Sequence, residues 1–220
     1  MIVQCGFPRA GSTLLYLMMR SSVSNYHFFD KEQRALTVIS KGVITKRPMD
    51  IFDYKEILQK IDAKFIINIR DPRSVVTSVH AHSEGQYKVS WDHSLLTGPT
   101  GIRPGKTKGL LDYIKIVRKV PRAIFVSYED LVQDPDVQQK RLGDFCGFIY
   151  KDSFSNFYKH SVPSKLQTPL NGVRPVDVSN IDKWKEHPER IKQQFKECPE
   201  LFDVLIYFGY EKDKTWINRL

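Results

Sequence analysis

Cysteine is scarce in this chain. The three thiols, Cys5, Cys146 and Cys198, make no C-x-x-C pair and have no histidine at zinc-site spacing. That excludes a disulfide scaffold and a structural zinc ribbon, and an odd, sparse set suits reduced thiols in a cytosolic compartment. Long apolar runs are missing too: nothing approaches the ~18 residues that a membrane span needs. The N-terminus passes straight into an apolar segment and a glycine loop, without the order of a secretory leader, so a cytoplasmic protein is expected. No repeat, no low-complexity tract and no block of five or six like charges occurs, which removes the usual sign of a nucleic-acid tail.

What the chain does have is an excess of positive charge, formally +9 over 220 residues, on an ordinary globular composition. The excess suits an anionic ligand, an acidic substrate or a nucleic acid, and it also serves plain solubility. The length fits one domain, read here as a single domain over residues 1–220.

The organising stretch is Gly6-Phe7-Pro8-Arg9-Ala10-Gly11-Ser12-Thr13. An apolar run, Met1 to Cys5, enters it and an apolar-rich segment, Leu14 to Met19, leaves it. Strand, tight loop, helix is the expected order. Such a loop turns backbone N–H groups inward where the helix dipole also favours negative charge. The spacing nearly fits the nucleotide P-loop, G-x-x-x-x-G-K-[ST], but Ser12 holds the lysine position and the nearest cation is Arg9. The loop therefore suits an anion better than a nucleoside triphosphate with magnesium. A glycine turn between any strand and helix would share part of this pattern.

Further along, Gly42 to Thr45 reads as a second strand, stopped at Pro48. Asp53 to Ile61 reads as a helix. Lys64 to Arg70 is the most apolar strand, as one buried on both faces should be. Asp71 and Pro72 open a helix as N-cap and first-turn residue, with Val75, Val76 and Val79 on its inner face. Residues 83 to 105 read as a long loop. Thr107 to Lys119 is expected to be helical, Ala123 to Tyr128 is a fourth strand, Asp136 to Phe145 a helix, 151 to 180 irregular, and Pro188 to Tyr207 one helix. Alternating strands and helices imply an α/β fold of P-loop type, three layers α/β/α around a central parallel sheet of about four to five strands. Ligands of such sheets sit beyond the C-terminal strand ends, where Arg9, Lys46, Arg70 and Tyr128 fall.

On these residues the chain resembles the sulfotransferases that use 3′-phosphoadenosine 5′-phosphosulfate (PAPS). Pro8-Arg9-Ala10-Gly11-Ser12-Thr13 is similar to their 5′-phosphosulfate loop. Arg70-Asp71-Pro72-Arg73-Ser74-Val75-Val76-Thr77-Ser78 is similar to their 3′-phosphate motif, in which an arginine and a serine eight residues later bind that phosphate. Ser127-Tyr128-Glu129-Asp130-Leu131 matches a further segment, and Asn171-Gly172-Val173-Arg174 resembles the late loop over the nucleotide. The resemblance thus implies cofactor contacts from Pro8, Arg9, Ala10, Gly11, Ser12, Thr13, Arg70, Ser78, Tyr128 and Arg174, no metal, and the product adenosine 3′,5′-bisphosphate (PAP).

Tyr26-His27-Phe28-Phe29-Asp30 and Lys46-Arg47-Pro48 resemble segments flanking the acceptor pocket of carbohydrate O-sulfotransferases. The resemblance implies a hydroxyl acceptor, with carbohydrates among the candidates, and places Lys46 near the transferred sulfonate. Those enzymes use a glutamate two residues before the histidine as base; that place is Asn25 here, which cannot take a proton. The base nominees are therefore His27 and Asp30, three residues apart, with His27 favoured because histidine titrates near neutrality. Glu32, Asp50 and His80 stand in reserve. Arg9 is expected to stabilise charge on the leaving phosphate. Two alternatives remain at this stage: a P-loop nucleotide or nucleoside kinase, and a non-catalytic binder of nucleotides or polyanions.

Overall fold

The computed structural model describes residues 1–79, 85–87, 89, 110–167, 170 and 172–220. The chain runs β1 (Ile2–Gly6), α1 (Ser12–Ser22), β2 (His27–Phe28), β3 (Val43–Lys46), α2 (Tyr54–Lys60), β4 (Lys64–Ile69) and α3 (Pro72–Val76). It continues as α4 (Leu110–Val117), β5 (Ala123–Ser127), α5 (Tyr128–Gln133), α6 (Pro135–Cys146), α7 (Ser164–Gln167), α8 (Pro188–Glu197) and α9 (Leu201–Tyr207). Two compact units result: Met1–Ile69 with Ile116–Val178, and Arg70–Lys115 with Ser179–Leu220. No helix among the described residues is long and apolar enough to cross a membrane.

The first unit carries the sheet. Its order is β2-β3-β1-β4-β5 and every pairing is parallel, as the alternation of strands and helices requires. The expected four strands are all present. The fifth, β2, is two residues long and pairs His27 with Val43 and Phe28 with Ile44. β1 and β4 are buried almost throughout, because a central parallel strand is covered on both faces. On one face lies α1, whose buried Tyr16 hydroxyl accepts the Phe29 N–H at 2.7 Å and fixes the chain leaving β2.

The opposite face carries Cys5 and, packed over it, the 3-10 turn Pro48–Asp53. Asp50 in that turn is fully buried. Its Oδ2 accepts the Ala35 N–H at 2.7 Å and its Oδ1 lies 3.5 Å from Arg47 Nη1. Burial pushes its carboxyl up to about 6, against the pull of the Ala35 hydrogen bond and Arg47. The folded-state value lies above the unfolded one, so this group's stabilisation is complete below about pH 4 and is lost as pH rises through about 6. Asp50→Asn, which keeps an acceptor for Ala35, is expected to gain on the wild type by on the order of 2 kcal/mol between pH 4 and pH 7.5. Urea unfolding at the two pH values checks it; a constant difference refutes it.

The second unit is built around α3. Asp71 caps it, its carboxylate accepting the Arg73 N–H at 2.8 Å, with Pro72 in the first turn. Arg73 is buried, paired with Asp71 (Nη2 to Oδ2, 2.6 Å) and with Glu211. Its guanidinium lies 3.9 Å from the centre of the Trp184 ring and 4.7 Å from that of Trp216. Val75 and Val76 are buried as expected, but α3 stops at Val76 and Val79 is exposed, bridging to Tyr87 instead. The single helix expected from Pro188 to Tyr207 is two. Cys198 leaves the helical region (φ −135°, ψ 81°) ahead of Pro199, which disfavours helix at the residue before it. Most of the loop expected over 83 to 105 lies outside the described residues, as do His80 and Asn171.

Candidate active site

The C-terminal edge of the sheet in the first unit gathers three strand ends. β1 runs into the glycine loop, β3 ends at Lys46, and β5 hands over directly to Tyr128 at the start of α5. Gly6 has φ +120° and lies so close to β4 that a Cβ would stand 2.4 Å from the Asn68 carbonyl oxygen. The next residue donates its N–H to that same oxygen, Phe7 to Asn68 at 2.8 Å. Gly11 has φ +71°, and a Cβ there would meet Tyr128 Cδ2 at 2.6 Å. The ring of Tyr128 therefore closes over the loop, and only glycine leaves room for it.

Gly11 is also the N-cap of α1. No side chain caps this helix and its first turn holds no acidic residue. The positive end of the helix dipole is thus not offset by a carboxylate of the helix itself. Arg9 sits between the two glycines with φ +55°, one of two described non-glycine residues at positive φ. For a side chain with a Cβ that conformation costs about 1–2 kcal/mol, and it persists here inside the glycine loop.

Lys46 is buried, and its Nζ lies 3.1 Å from Glu32 Oε2. The Gln33 N–H donates to the Lys46 carbonyl oxygen, so the segment after β2 comes back to the end of β3. This brings Glu32, rather than the two nominees, to the edge that carries the loop. His27 pairs with Val43, three residues before Lys46, or about 10 Å back along the strand. It is exposed, with its ring edge-on to Phe29. Asp30 is exposed and bound to Arg20 at 2.7 Å. No hydrogen bond joins His27 to Asp30 among the described residues. Asn25 has both ends of its carboxamide engaged: Nδ2 donates to the Gly147 carbonyl oxygen and Oδ1 accepts the Ile149 N–H.

In the second unit, Arg70 is the residue after Ile69, and its Nη2 donates to the Asn180 carbonyl oxygen at 3.3 Å. Ser74 Oγ donates to the neighbouring Ile181 carbonyl oxygen. Ser78 lies two residues past the end of α3, its N–H donating to the Val75 carbonyl oxygen. Arg174, in the first unit, is exposed. No group of three His, Cys, Asp or Glu among the described residues could hold a metal ion.

Two residues beneath the loop escaped the sequence reading. Gln4 on β1 and Asn68 on β4 are both fully buried. Gln4 Nε2 donates to Asn68 Oδ1 at 2.8 Å and to the Ser12 carbonyl oxygen at 2.7 Å. The available signal was a carboxamide among the apolar residues of each of two strands, Gln4 in Ile2–Cys5 and Asn68 in Phe65–Ile69.

A search of curated protein sequences finds no match. The model of the sulfotransferase family matches residues 22–152, more than half of the chain. Among solved structures, the sulfotransferase domain from the curacin biosynthetic pathway aligns with a TM-score of 0.58 at 16% identity, over 89% of this chain and 96% of that one. The sulfotransferase domain of the Synechococcus PCC 7002 olefin synthase gives 0.54 at 19%, over 89% and 93%. The mouse sulfotransferase SULT7A1, complexed with PAP, gives 0.58 at 16%, over 94% and 84%. At these identities the structural matches speak to fold, and the family match speaks to kinship: the chain belongs to the sulfotransferase family.

Proposed function

We propose that this sulfotransferase takes its sulfonate group from PAPS and passes it to a hydroxyl-bearing acceptor. The observation that carries the reading is the loop from Gly6 to Thr13. Its two glycines cannot bear a Cβ, the glycine N-cap of the helix behind it offers no side chain to the helix amides, and Ser12 stands where a triphosphate-binding loop needs lysine. These features fit a phosphosulfate group. The PAP bound in the mouse SULT7A1 structure supports the same donor.

PAPS supplies an activated sulfonate on a phosphate leaving group. In this reading the amides of Ala10 to Thr13 and the guanidinium of Arg9 hold the charge that grows on that phosphate. Lys46 offsets charge on the sulfonate oxygens, and Pro8 and Tyr128 shape the loop. Arg70 and Ser78 take the 3′-phosphate and Arg174 lies over the nucleotide. For the acceptor's proton, the observation that Glu32 sits against Lys46 favours this carboxylate over His27 or Asp30. Carbohydrates are candidate acceptors through the likeness of Tyr26–Asp30 and Lys46–Pro48.

The test combines transfer with binding. Labelled sulfonate should move from PAPS to at least one member of a panel of sugar, phenol and alcohol acceptors. Arg70→Ala should weaken PAP about 10- to 100-fold, because an arginine–phosphate pair is a strong charge-assisted contact, and leave adenosine 5′-phosphate within about threefold. Stabilisation of the wild type by ATP with magnesium or by heparin but not by PAP, or equal losses for both adenosine ligands in the variant, would overturn the assignment.

A further inference from the structure

The polar residues under the loop have a geometry that a purely apolar core would not need. Gln4 and Asn68 lie on adjacent strands of the first unit and on the same sheet face, since Gln4 pairs with Ile66 and Asn68 is two residues further on. Lys46, the partner of Gln4 on β3, shares that face. Gln4 Nε2 uses one hydrogen on Asn68 Oδ1 and the other on the Ser12 carbonyl oxygen. Asn68 in turn receives the Phe7 N–H on its backbone oxygen. One short chain of hydrogen bonds, Phe7 to Asn68 to Gln4 to Ser12, therefore ties the entrance of the loop to its exit from below.

This arrangement is not an economical way to fill a core. Gln4 Oε1 and Asn68 Nδ2 are buried without a hydrogen-bond partner among the described residues, and half-satisfied carboxamides in a sheet interior are unfavourable compared with apolar side chains of the same shape. Leucine and methionine would cover α1 equally well. What apolar residues could not do is hold the Ser12 carbonyl pointing down. A peptide plane is rigid, so fixing that carbonyl fixes the opposite direction for the N–H of Thr13 on the same plane. That N–H is one of the donors at the open end of α1.

We infer that Gln4, braced by Asn68, is a positioning residue that sets the amides of the Ser12–Thr13 turn for the anion. The inference rests on the reading of the loop as the phosphosulfate site. Its cost to stability is exchanged for geometry at the rim, where an error of about 1 Å can cost about 100-fold in rate.

The test measures PAP affinity by calorimetry, ligand-free melting temperature, and kcat and KM for PAPS. The proteins are the wild type, Gln4→Met, and the double variant Gln4→Met with Asn68→Leu. Gln4→Met should weaken PAP about 10-fold and lower kcat/KM by more than that, with a melting temperature lowered by the Asn68 carboxamide it leaves unpaired. The double variant should match or exceed the wild-type melting temperature and keep the loss of affinity. Gln4→Asn, whose shorter arm cannot span both partners, carries the same expectation should Gln4→Met not fold. Wild-type affinity in a folded Gln4 variant, or an affinity loss that simply follows the melting temperature, overturns the inference alone. A wild type that does not bind PAP at all overturns the donor assignment and this inference with it.

Discussion

Replacing Arg9 by glycine is expected to lower turnover about 100- to 1000-fold while leaving the protein as stable as before, or more stable by up to about 1 kcal/mol. The two effects have separate origins. Arg9 holds φ +55° in the loop, a conformation that glycine adopts freely, so its backbone strain disappears in the variant. The greater freedom of glycine in the unfolded chain takes back part of that gain. The guanidinium, meanwhile, is a fixed positive fork in the loop where leaving-group charge is proposed to grow, and such a group acts on the transition state more than on the bound ground state. PAP affinity should accordingly fall by less than about 10-fold. Arg9→Lys, which keeps a positive charge and a side chain in the left-handed region, should recover most of the turnover and none of the stability. Single-turnover kinetics beside thermal melting separates the two origins. A glycine variant with near-normal turnover would remove Arg9 from the chemistry.

Arg73→Met is expected to cost about 3–5 kcal/mol, a large share of the stability of a domain of this kind. Arg73 has 4% of its side chain exposed, Asp71 6% and Glu211 18%. Burial alone would disfavour the guanidinium charge, but the hydrogen bonds it donates to Asp71 and then to Glu211 hold its affinity for the proton above the ordinary level. Without the arginine, Asp71 and Glu211 lose the guanidinium they share, leaving Asp71 the backbone N–H of residue 73 at 2.8 Å and Glu211 the exposed Arg219 at 3.7 Å. The rings of Trp184 and Trp216 also lose the cation they flank. Arg73→Lys restores a charge but neither the planar fork nor the stacking, and should regain less than half of the loss. Adding Glu211→Gln to Arg73→Met should return a measurable part of it. Urea midpoints for the three variants decide the matter, and a loss under 1 kcal/mol in Arg73→Met would show that the cage is incidental.

The features legible in the sequence were those written in consecutive residues. The loop, α1, the apolar run of β4 and the Asp71-Pro72 helix start all depend on neighbours in the chain, and each lies where the spacing put it. The break at Pro199 was equally local, but the apolar spacing carried across it and hid it. β2 could not be found by periodicity, because two residues have no period; what makes it a strand is β3 beside it. The base nominees show the same limit. The fates of Asn25, Asp30 and Glu32 are decided by Gly147, Arg20 and Lys46, partners that no spacing rule connects. Gln4 and Asn68 were visible as polar residues in apolar strands, yet their role depends on their lying side by side, and that follows only from the pairing of β1 with β4.

The cage around Arg73 also bears on the order in which the chain can fold. Its Glu211 partner stands 138 residues further along, and the contact of Arg70 with Asn180 spans 110. By contrast β1, β3 and β4 all lie within Met1–Ile69. Chains are made from the N-terminus at about 5–20 residues per second, so the three central strands can pair while the rest of the protein is still unmade. Closing the longer loops comes later and is intrinsically slower, since their entropy must be lost before any contact repays it. Until residues 184, 211 and 216 leave the ribosome, the guanidinium of Arg73 has, among the described residues, only Asp71 to hold.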